Sequence, residues 1–177
     1  MTKPTALLLS VSSAVALSLA TPSIAHAQVG GARRLGVGLA LGYPDIGISG
    51  QYFINARTSV QVVASLWYRN GRFGRDYIDR SGTGVFLRAD YLFHPVMLIR
   101  GTTADLGFYV GPGLYAGFGS GENLAFGGEL PLGLEVQFKS APVDLAFEAV
   151  PRLAVASYAG IDPALSVGGA FHIRYYF

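Results

Sequence analysis

Apolar residues recur at every second position along most of the chain after residue 34. In the last eleven residues, VGGAFHIRYYF, one parity holds Val167, Phe171, Ile173, Tyr175 and Phe177, and the other holds small or charged residues. A period of two places these two sets on opposite faces of a β-strand. The same test predicts eight strands, at about 35–43, 46–54, 58–68, 84–93, 103–117, 126–138, 143–152 and 167–177.

Charged side chains on these strands all fall on the second face, and the apolar face carries none. A soluble barrel would direct its apolar face inward and many lysines outward, yet Lys139 is the only lysine after Lys3. The polar face is also rich in Gly and Ser, which suits a crowded barrel interior. We therefore expect lipid against the apolar face. The polar-face charges are Arg88, Asp90, Asp105, Glu129, Glu135, Asp144, Glu148, Arg152 and Arg174.

The composition is also typical of a membrane protein. Hydrophobic residues make up 51% of the chain and charged residues only 14%, against about 25% charged in ordinary soluble domains. No second long apolar run follows the N-terminal one, so a closed barrel is the remaining way to cross a bilayer. The expected fold is all-β, an eight-stranded antiparallel transmembrane up-and-down β-barrel.

The N-terminus has the features of a cleavable export signal. Lys3 precedes an uncharged apolar stretch over 5–20, Pro22 follows it, and the small-x-small sequence AHA ends at residue 27. We expect residues 1–27 to be the signal peptide and residues 28–177 to be the barrel domain. The chain has no Cys, so disulfides cannot stabilise it. Its net charge of +2 falls to about +1 without Lys3, which gives no basis for nucleic-acid binding.

An even number of strands puts both termini on the periplasmic side of an outer membrane. The pattern then predicts inward turns that are mostly short and some long outer loops, as in known bacterial barrels. The outward connections are about 44–45, 69–83, 118–125 and 153–163, and the inward turns are about 55–57, 94–102 and 139–142. The predicted location is the Gram-negative outer membrane, with outer-membrane lipid around the wall.

The second outward connection, RNGRFGRDYIDRSG, is rich in arginine. Its residues Arg69, Arg72, Arg75 and Arg80 could grip lipopolysaccharide phosphates through bidentate contacts, or offer a surface to a partner protein. A solvated loop, balanced by its two aspartates, explains the composition equally well. Lipopolysaccharide contact is therefore one of several open hypotheses for this loop.

The polar-face charges must share a narrow interior, in which three arginines face six carboxylates. Such charges require pairing, water or protonation. We expect a hydrogen-bonded plug of ion pairs, in which Arg88, Arg152 and Arg174 bridge neighbouring acids. Crowded carboxylates could also act as general acids, but an eight-stranded barrel has to fill its interior in any case.

The histidines argue against enzyme activity. Barrels of this size include lipid A acyltransferases and deacylases, which use a His with a Ser near the outer leaflet. After residue 27 the chain has only His94 and His172, both toward the periplasmic end and neither in a His-x-Ser pair. Two His without Cys are also too few ligands for a typical metal site. We expect no catalysis, no cofactor and no metal.

Aromatic residues lie near strand ends on the apolar face, where rings at the headgroup level are favoured. They are Tyr43, Tyr68, Tyr91, Phe93, Phe138, Tyr175 and Phe177. Phe177 and Tyr175, on an amphipathic last strand, also resemble the signal by which the outer-membrane assembly machinery takes up its clients. We expect that machinery to be a partner during biogenesis.

Several blocks, in this order, resemble a widespread family of small, largely uncharacterised outer-membrane barrel proteins. The blocks are LGVGLALGYPDIGISGQYFINARTSV, LRADYLFH, YVGPGLYAGFG, LPLGLEVQFKSAPVDLAFEAVPRLAV and VGGAFHIRYYF. The resemblance implies an eight-stranded barrel of the same general kind as OmpA-like, OmpX-like and OmpW-like barrels, and it supplies no catalytic residues. This chain departs from the family in its arginine-rich loop.

The expected function is that of a monomeric, non-enzymatic outer-membrane barrel with a structural or surface-interaction role and a plugged polar lumen. One alternative is a narrow transport or small-ligand barrel, whose glycine-lined lumen would hold water or an apolar molecule. A lipid A-modifying enzyme is a third, weaker hypothesis.

Overall fold

The computed structural model describes residues 34–43, 45–69, 82–119, 123–157 and 164–177. Ten β-strands follow one another in these ranges. They are β1 Leu35–Tyr43, β2 Asp45–Asn55, β3 Thr58–Arg69, β4 Gly82–Arg100, β5 Ala104–Val110, β6 Gly113–Gly119, β7 Asn123–Glu129, β8 Leu132–Phe138, β9 Val143–Ser157 and β10 Ala164–Tyr176. Within the same ranges, no helix is long and apolar enough to span a membrane.

The strands pair antiparallel in a closed ring. Pairing runs from β1 through β2 and β3 to β4, which pairs with both β5 and β6. Strands β5 and β6 pair in turn with β8 and β7, both of which pair with β9. Strand β10 pairs with β9 and with β1, which closes the wall. The all-β, antiparallel, up-and-down fold predicted from the sequence is thereby confirmed.

The wall has eight positions although it contains ten strands, because two positions are occupied by two strands end to end. The sequence predicts continuous strands over 103–117 and 126–138, but the first breaks at Gly111 and Pro112 and the second at Leu130 and Pro131. Proline has no backbone N–H and cannot complete a ladder. Hydrogen bonding nevertheless continues, since the N–H groups of Gly111 and Leu130 donate to the carbonyls of Pro131 and Pro151.

One predicted boundary is wrong at the end of the barrel where β1 begins and β10 ends. Strand β4 runs to Arg100, past its predicted end at 93 and through most of the predicted turn over 94–102. The sequence HPV reads as a turn because proline ends most strands, but here Pro95 is accommodated by a register shift between Phe93 and Val96. We call this end, with its connections 56–57, 101–103 and 139–142, the turn end, and the opposite end the loop end.

The wall has its apolar face outward. Leu39, Leu66 and Phe147 are 54%, 69% and 60% exposed. Among the described strands, the outward-facing side chains carry no charge, and Arg100 at the tip of β4 is in register with Asp105, which has inward parity. The interior instead buries Arg, Asp, Glu, Gln, Ser and His side chains. The face assignment made from the sequence is therefore confirmed wherever the structure describes side chains.

Several sequence predictions lie outside the described residues. The expected signal peptide over 1–27 is one of them, and most of the arginine-rich connection over 69–83 is another. The side chains of Tyr43 and Tyr68, assigned to the aromatic belt, and of Arg69 are likewise not described.

Candidate functional site

The candidate site is the lumen, where polar side chains from most wall positions meet. Strand alternation directs every second residue inward, and the register brings inward residues of neighbouring strands side by side. Arg174 of β10 is in register with Asp144 of β9, and Asp90 of β4 with Gln61 of β3. The network is thus assembled from residues far apart in sequence.

Arg174 organises the half of the lumen nearest the turn end. Its Nε and Nη2 donate to the two Asp144 oxygens at 2.8–3.1 Å, and Nη2 also lies 3.3 Å from Glu135 Oε1. The Tyr176 hydroxyl lies 2.8 Å from an Asp144 oxygen and 2.8 Å from the Gln51 amide oxygen. All five side chains are buried. One guanidinium therefore neutralises a bidentate partner and approaches a second carboxylate.

Gln61 joins this group to the next one. Its Oε1 accepts from Arg174 Nη1 at 2.7 Å, while its Nε2 donates to Glu148 Oε2 at 2.9 Å and to Asp90 Oδ2 at 3.3 Å. An amide can accept on one side and donate on the other. It therefore links the cationic and anionic parts without adding charge.

Arg88 organises the central part of the lumen. Its Nη2 contacts Glu148 Oε1, and its Nε and Nη1 lie 3.9 Å from Asp90 and Glu129 oxygens. The Tyr109 hydroxyl donates to Glu148 Oε2 at 2.9 Å. Arg88 thus pairs closely with one carboxylate and lies near two others.

Arg152 lies nearest the loop end of the network. Its Nε donates to Glu129 Oε2 at 2.9 Å, and its guanidinium carbon lies 4.6 Å from the centre of the Phe86 ring. Phe86 stacks on Tyr115 with ring centres 5.3 Å apart. A cation over an aromatic face is favourable in a desolvated site. This group fills part of the glycine-lined region toward the loop end.

The structure brings together all the predicted lumen charges except one. Asp105 lies at the turn end, where its Oδ1 is 3.0 Å from Lys139 Nζ, so it belongs to a separate ion pair. Neutral side chains also belong to the network, namely Gln51, Ser59, Gln61, Tyr109 and Tyr176. Their parity places them on the inward face, but the sequence did not show which ions they contact.

His172 and His94 differ in their surroundings. His172 is fully buried beside Arg88 and Glu148, with its Nε2 3.3 Å from Arg88 Nη2. His94 lies near the turn end, with its Nε2 2.9 Å from Ser59 Oγ and its Nδ1 3.6 Å from Glu135 Oε2. A Ser–His–carboxylate series was not visible in the sequence, because the three residues lie on different strands.

The Ser59 series has the order of a nucleophile, a base and an orienting carboxylate. Ser59 is fully buried, however, and Gln51 Nε2 donates to its hydroxyl at 2.9 Å. Phe53 and Tyr109 pack against the His94 ring, with ring centres 5.1 and 5.6 Å away. The hydroxyl is therefore closed off from a substrate carbonyl. Among the described residues, no group of His, Cys, Asp and Glu could hold a metal ion.

No protein-family model and no curated protein matches the chain, so the family resemblance stays a prediction. Among solved structures, the chain is similar to Ail, the attachment invasion locus protein of Yersinia pestis. The similarity covers 82% of this chain and 97% of that chain, with 13% sequence identity and a TM-score of 0.37. The fold described above rests on the strand pairings.

Proposed function

We propose that the protein is an integral outer-membrane β-barrel that is not an enzyme and that has a structural or surface-interaction role. The observation that carries the proposal is the inverted distribution of polarity, with an apolar wall outside and buried ions inside. A soluble monomer rarely exposes a continuous apolar surface of this extent. In a bilayer, lipid covers such a wall, and a closed ring leaves no backbone edge within it.

The packed lumen supports a role without free passage of solutes. Arg174, Asp144 and Glu148 are almost fully buried, and the hydrogen bonds of Gln61 connect the two arginine groups across the interior. An eight-stranded barrel is just wide enough for its own side chains to fill. Any function then falls to the wall or to the connections at its ends.

The loop end is the expected outer surface. Lipopolysaccharide contact through Arg69, Arg72, Arg75 and Arg80 belongs to the same proposal, because planar guanidinium groups suit phosphate. The same proposal includes export by a signal over residues 1–27, uptake by the assembly machinery, and a monomeric state.

A narrow transport or small-ligand barrel is the second candidate. It is favoured by the lining of the loop half, where Gly117, Gly127, Ala125 and Ala154 face inward. A Cβ added at Gly117 would approach nothing closer than the Phe86 ring at 3.4 Å. Space beside that ring could admit water or a small apolar molecule.

Fractionation and gel mobility test the proposal. The protein expressed with its own N-terminus should be recovered from outer-membrane fractions, and unheated samples should migrate differently from boiled samples because the closed barrel resists detergent. Recovery in the soluble fraction, without a heat-dependent shift, would contradict a membrane barrel.

Conductance in planar bilayers separates the two candidates. The plugged barrel should show no steady openings, and Arg88→Ser, which removes the central cation, should allow them. Steady openings of the unaltered protein that are abolished by Gly117→Leu would instead establish the narrow channel. Gly128→Leu, on the outward face, is the matched control.

A further inference from the structure

Strand β4 extends beyond its neighbour β3 at the turn end. Strand β3 begins at Thr58, which pairs with Phe93, and the N–H of His94 makes the last bond to the preceding turn. From Pro95 to Arg100, β4 pairs with β5 on one side. No residue of the described ranges pairs with it on the other side. The β4–β5 hairpin therefore presents a free edge, which we call the β4 edge, residues 95–100.

The β4 edge is apolar and exposed. Val96, Leu98 and Ile99 are 48%, 49% and 59% exposed. An unpaired, apolar edge is a template for another strand, and natural proteins usually blunt it with charge or proline. Pro95 blunts only the first position, and Arg100 is the single charge, at the far end.

Arginines bracket this edge. Arg57, in the turn before β3, is exposed. Its carbonyl accepts from the N–H of His94, so it lies beside the first residue of the edge, Pro95. Arg100 is exposed and is the last residue of the edge. Asp105, in register with Arg100, is 3.0 Å from Lys139 Nζ. Because Lys139 already pairs with Asp105, the charge of Arg100 is not cancelled, and the electrostatic potential at both ends of the edge is positive.

We propose that the β4 edge binds an extended peptide segment of another envelope protein by β-strand addition. The segment would carry apolar residues on one face and acidic residues at its ends, to match Arg57 and Arg100. Main-chain hydrogen bonds would supply affinity, and the exposed side chains and charges would supply selectivity. Placement of this edge on the periplasmic side rests on the proposed function.

A peptide suits the edge better than a second copy or a lipid. Antiparallel pairing of two β4 edges would bring Arg100 of each copy against Arg57 of the other, and like charges in contact are unfavourable. Acyl chains cannot satisfy the free N–H and C=O groups of the edge. An acid-ended strand satisfies both the backbone and the charges.

The test uses purified protein in detergent, after a heat-dependent gel shift has shown that it is folded. The probe is a fluorescent synthetic peptide of alternating valine and threonine with an aspartate at each end, followed by anisotropy. We expect saturable binding that Leu98→Pro weakens about tenfold or more, because ladder hydrogen bonds are lost. Arg57→Glu and Arg100→Glu should each weaken it about threefold or more. A lysine-ended peptide should bind more weakly than the aspartate-ended one.

The matched control is Arg34→Glu, an exposed arginine at the same end but beside β2. It should leave binding unchanged. An equal loss in Arg34→Glu and Arg100→Glu would overturn the proposal, because it would show general charge attraction.

Three further results would overturn it by assigning another occupant. They are a dimer cross-linked through residue 98, binding of anionic phospholipid vesicles in place of the peptide, and binding that appears only after removal of residues 28–33. Because folding is checked first, failure of peptide binding leaves the membrane assignment intact, whereas failure of the gel shift and fractionation defeats the proposed function itself.

Discussion

At the scale of single residues, the lumen compensates each buried ion with more than one partner. A buried charge that loses its partner costs far more than a surface pair contributes. Arg174 has a bidentate partner in Asp144, an amide in Gln61 and a second carboxylate in Glu135. Its removal would leave two carboxylates uncompensated. Asp144 would retain the Tyr176 hydroxyl as a donor.

We expect Arg174→Leu to lower the free energy of unfolding by about 3–5 kcal/mol. Urea titration of the protein folded in detergent or vesicles measures it. The control is Arg34→Leu at an exposed position, with a change of about 0.5 kcal/mol or less. A similar small change in Arg174→Leu would mean that water reaches and solvates the lumen carboxylates.

Gly133 makes room for the Tyr109 ring, which lies across it from the paired position on β5. A Cβ on Gly133 would run into that ring, and Tyr109 is fully buried and hydrogen-bonded to Glu148. We expect Gly133→Ala to destabilise the fold by about 1–3 kcal/mol, as measured by urea unfolding. Gly128→Ala, with nothing nearer than 3.8 Å, is the tolerated control.

A second substitution checks the cause. If the clash is with the ring, the change caused by Gly133→Ala should be smaller when Tyr109→Leu is already present. Simple additivity of the two changes would place the strain elsewhere.

The Ser59 hydroxyl tests the non-enzymatic assignment directly. Because Ser59 is buried and accepts from Gln51, a fluorophosphonate probe should not label the folded protein. Mass spectrometry after incubation in detergent measures labelling. Labelling that Ser59→Ala and His94→Ala both abolish would show an accessible nucleophile and would argue for a hydrolase.

At the scale of elements, alternation predicted the wall well but its interruptions poorly. Inward and outward faces follow from the period of two, and β1, β2 and β3 lie close to their predicted ranges. The extension of β4 past Pro95 and the breaks at Pro112 and Pro131 could not be predicted. In each case the outcome depends on whether neighbouring carbonyls can accept across the gap, and that is a property of the assembled ring.

Deletion of the last residue should affect the stability of the folded barrel and its assembly in cells to different extents. The N–H of Phe177 donates to the Leu35 carbonyl at 2.9 Å, and its exposed ring packs on Tyr175 with ring centres 5.1 Å apart. Deletion of Phe177 should therefore cost only about 1 kcal/mol in refolded protein. In cells we expect a large loss of heat-modifiable protein from outer-membrane fractions. Normal recovery of the truncated chain would count against an assembly signal at Phe177.

At the scale of the whole molecule, the candidate site was only partly predictable. The set of inward charges followed from parity, but the partners did not, because Arg174 meets Gln61 and Glu135 across the interior rather than along a strand pair. Asp105 likewise has inward parity, but it lies beside Lys139 at the turn end and apart from the network. Parity gives the face of a residue, whereas its height relative to Lys139 depends on the stagger of the ring.

The medium around the wall makes a final distinction between a membrane barrel and a soluble one. Leu39, midway along β1, is 54% exposed on the outward face, and Ile54 is 43% exposed beside the turn end. In water, an arginine at either position would change stability by about 0.5 kcal/mol or less. In a bilayer, it costs about 2–4 kcal/mol at the midplane and about 0–1 near the interface.

We therefore expect Leu39→Arg to lower the free energy of unfolding in phospholipid vesicles by about 2–4 kcal/mol, and Ile54→Arg to lower it by about 1 kcal/mol or less. The same pair measured in detergent should differ less, because detergent adapts to a charge more readily than a bilayer does. Equal and small effects of both substitutions in vesicles would mean that water, not lipid, meets the apolar wall. Only a depth-dependent cost places Leu39 in hydrocarbon, since the general penalty for a new arginine is common to both variants.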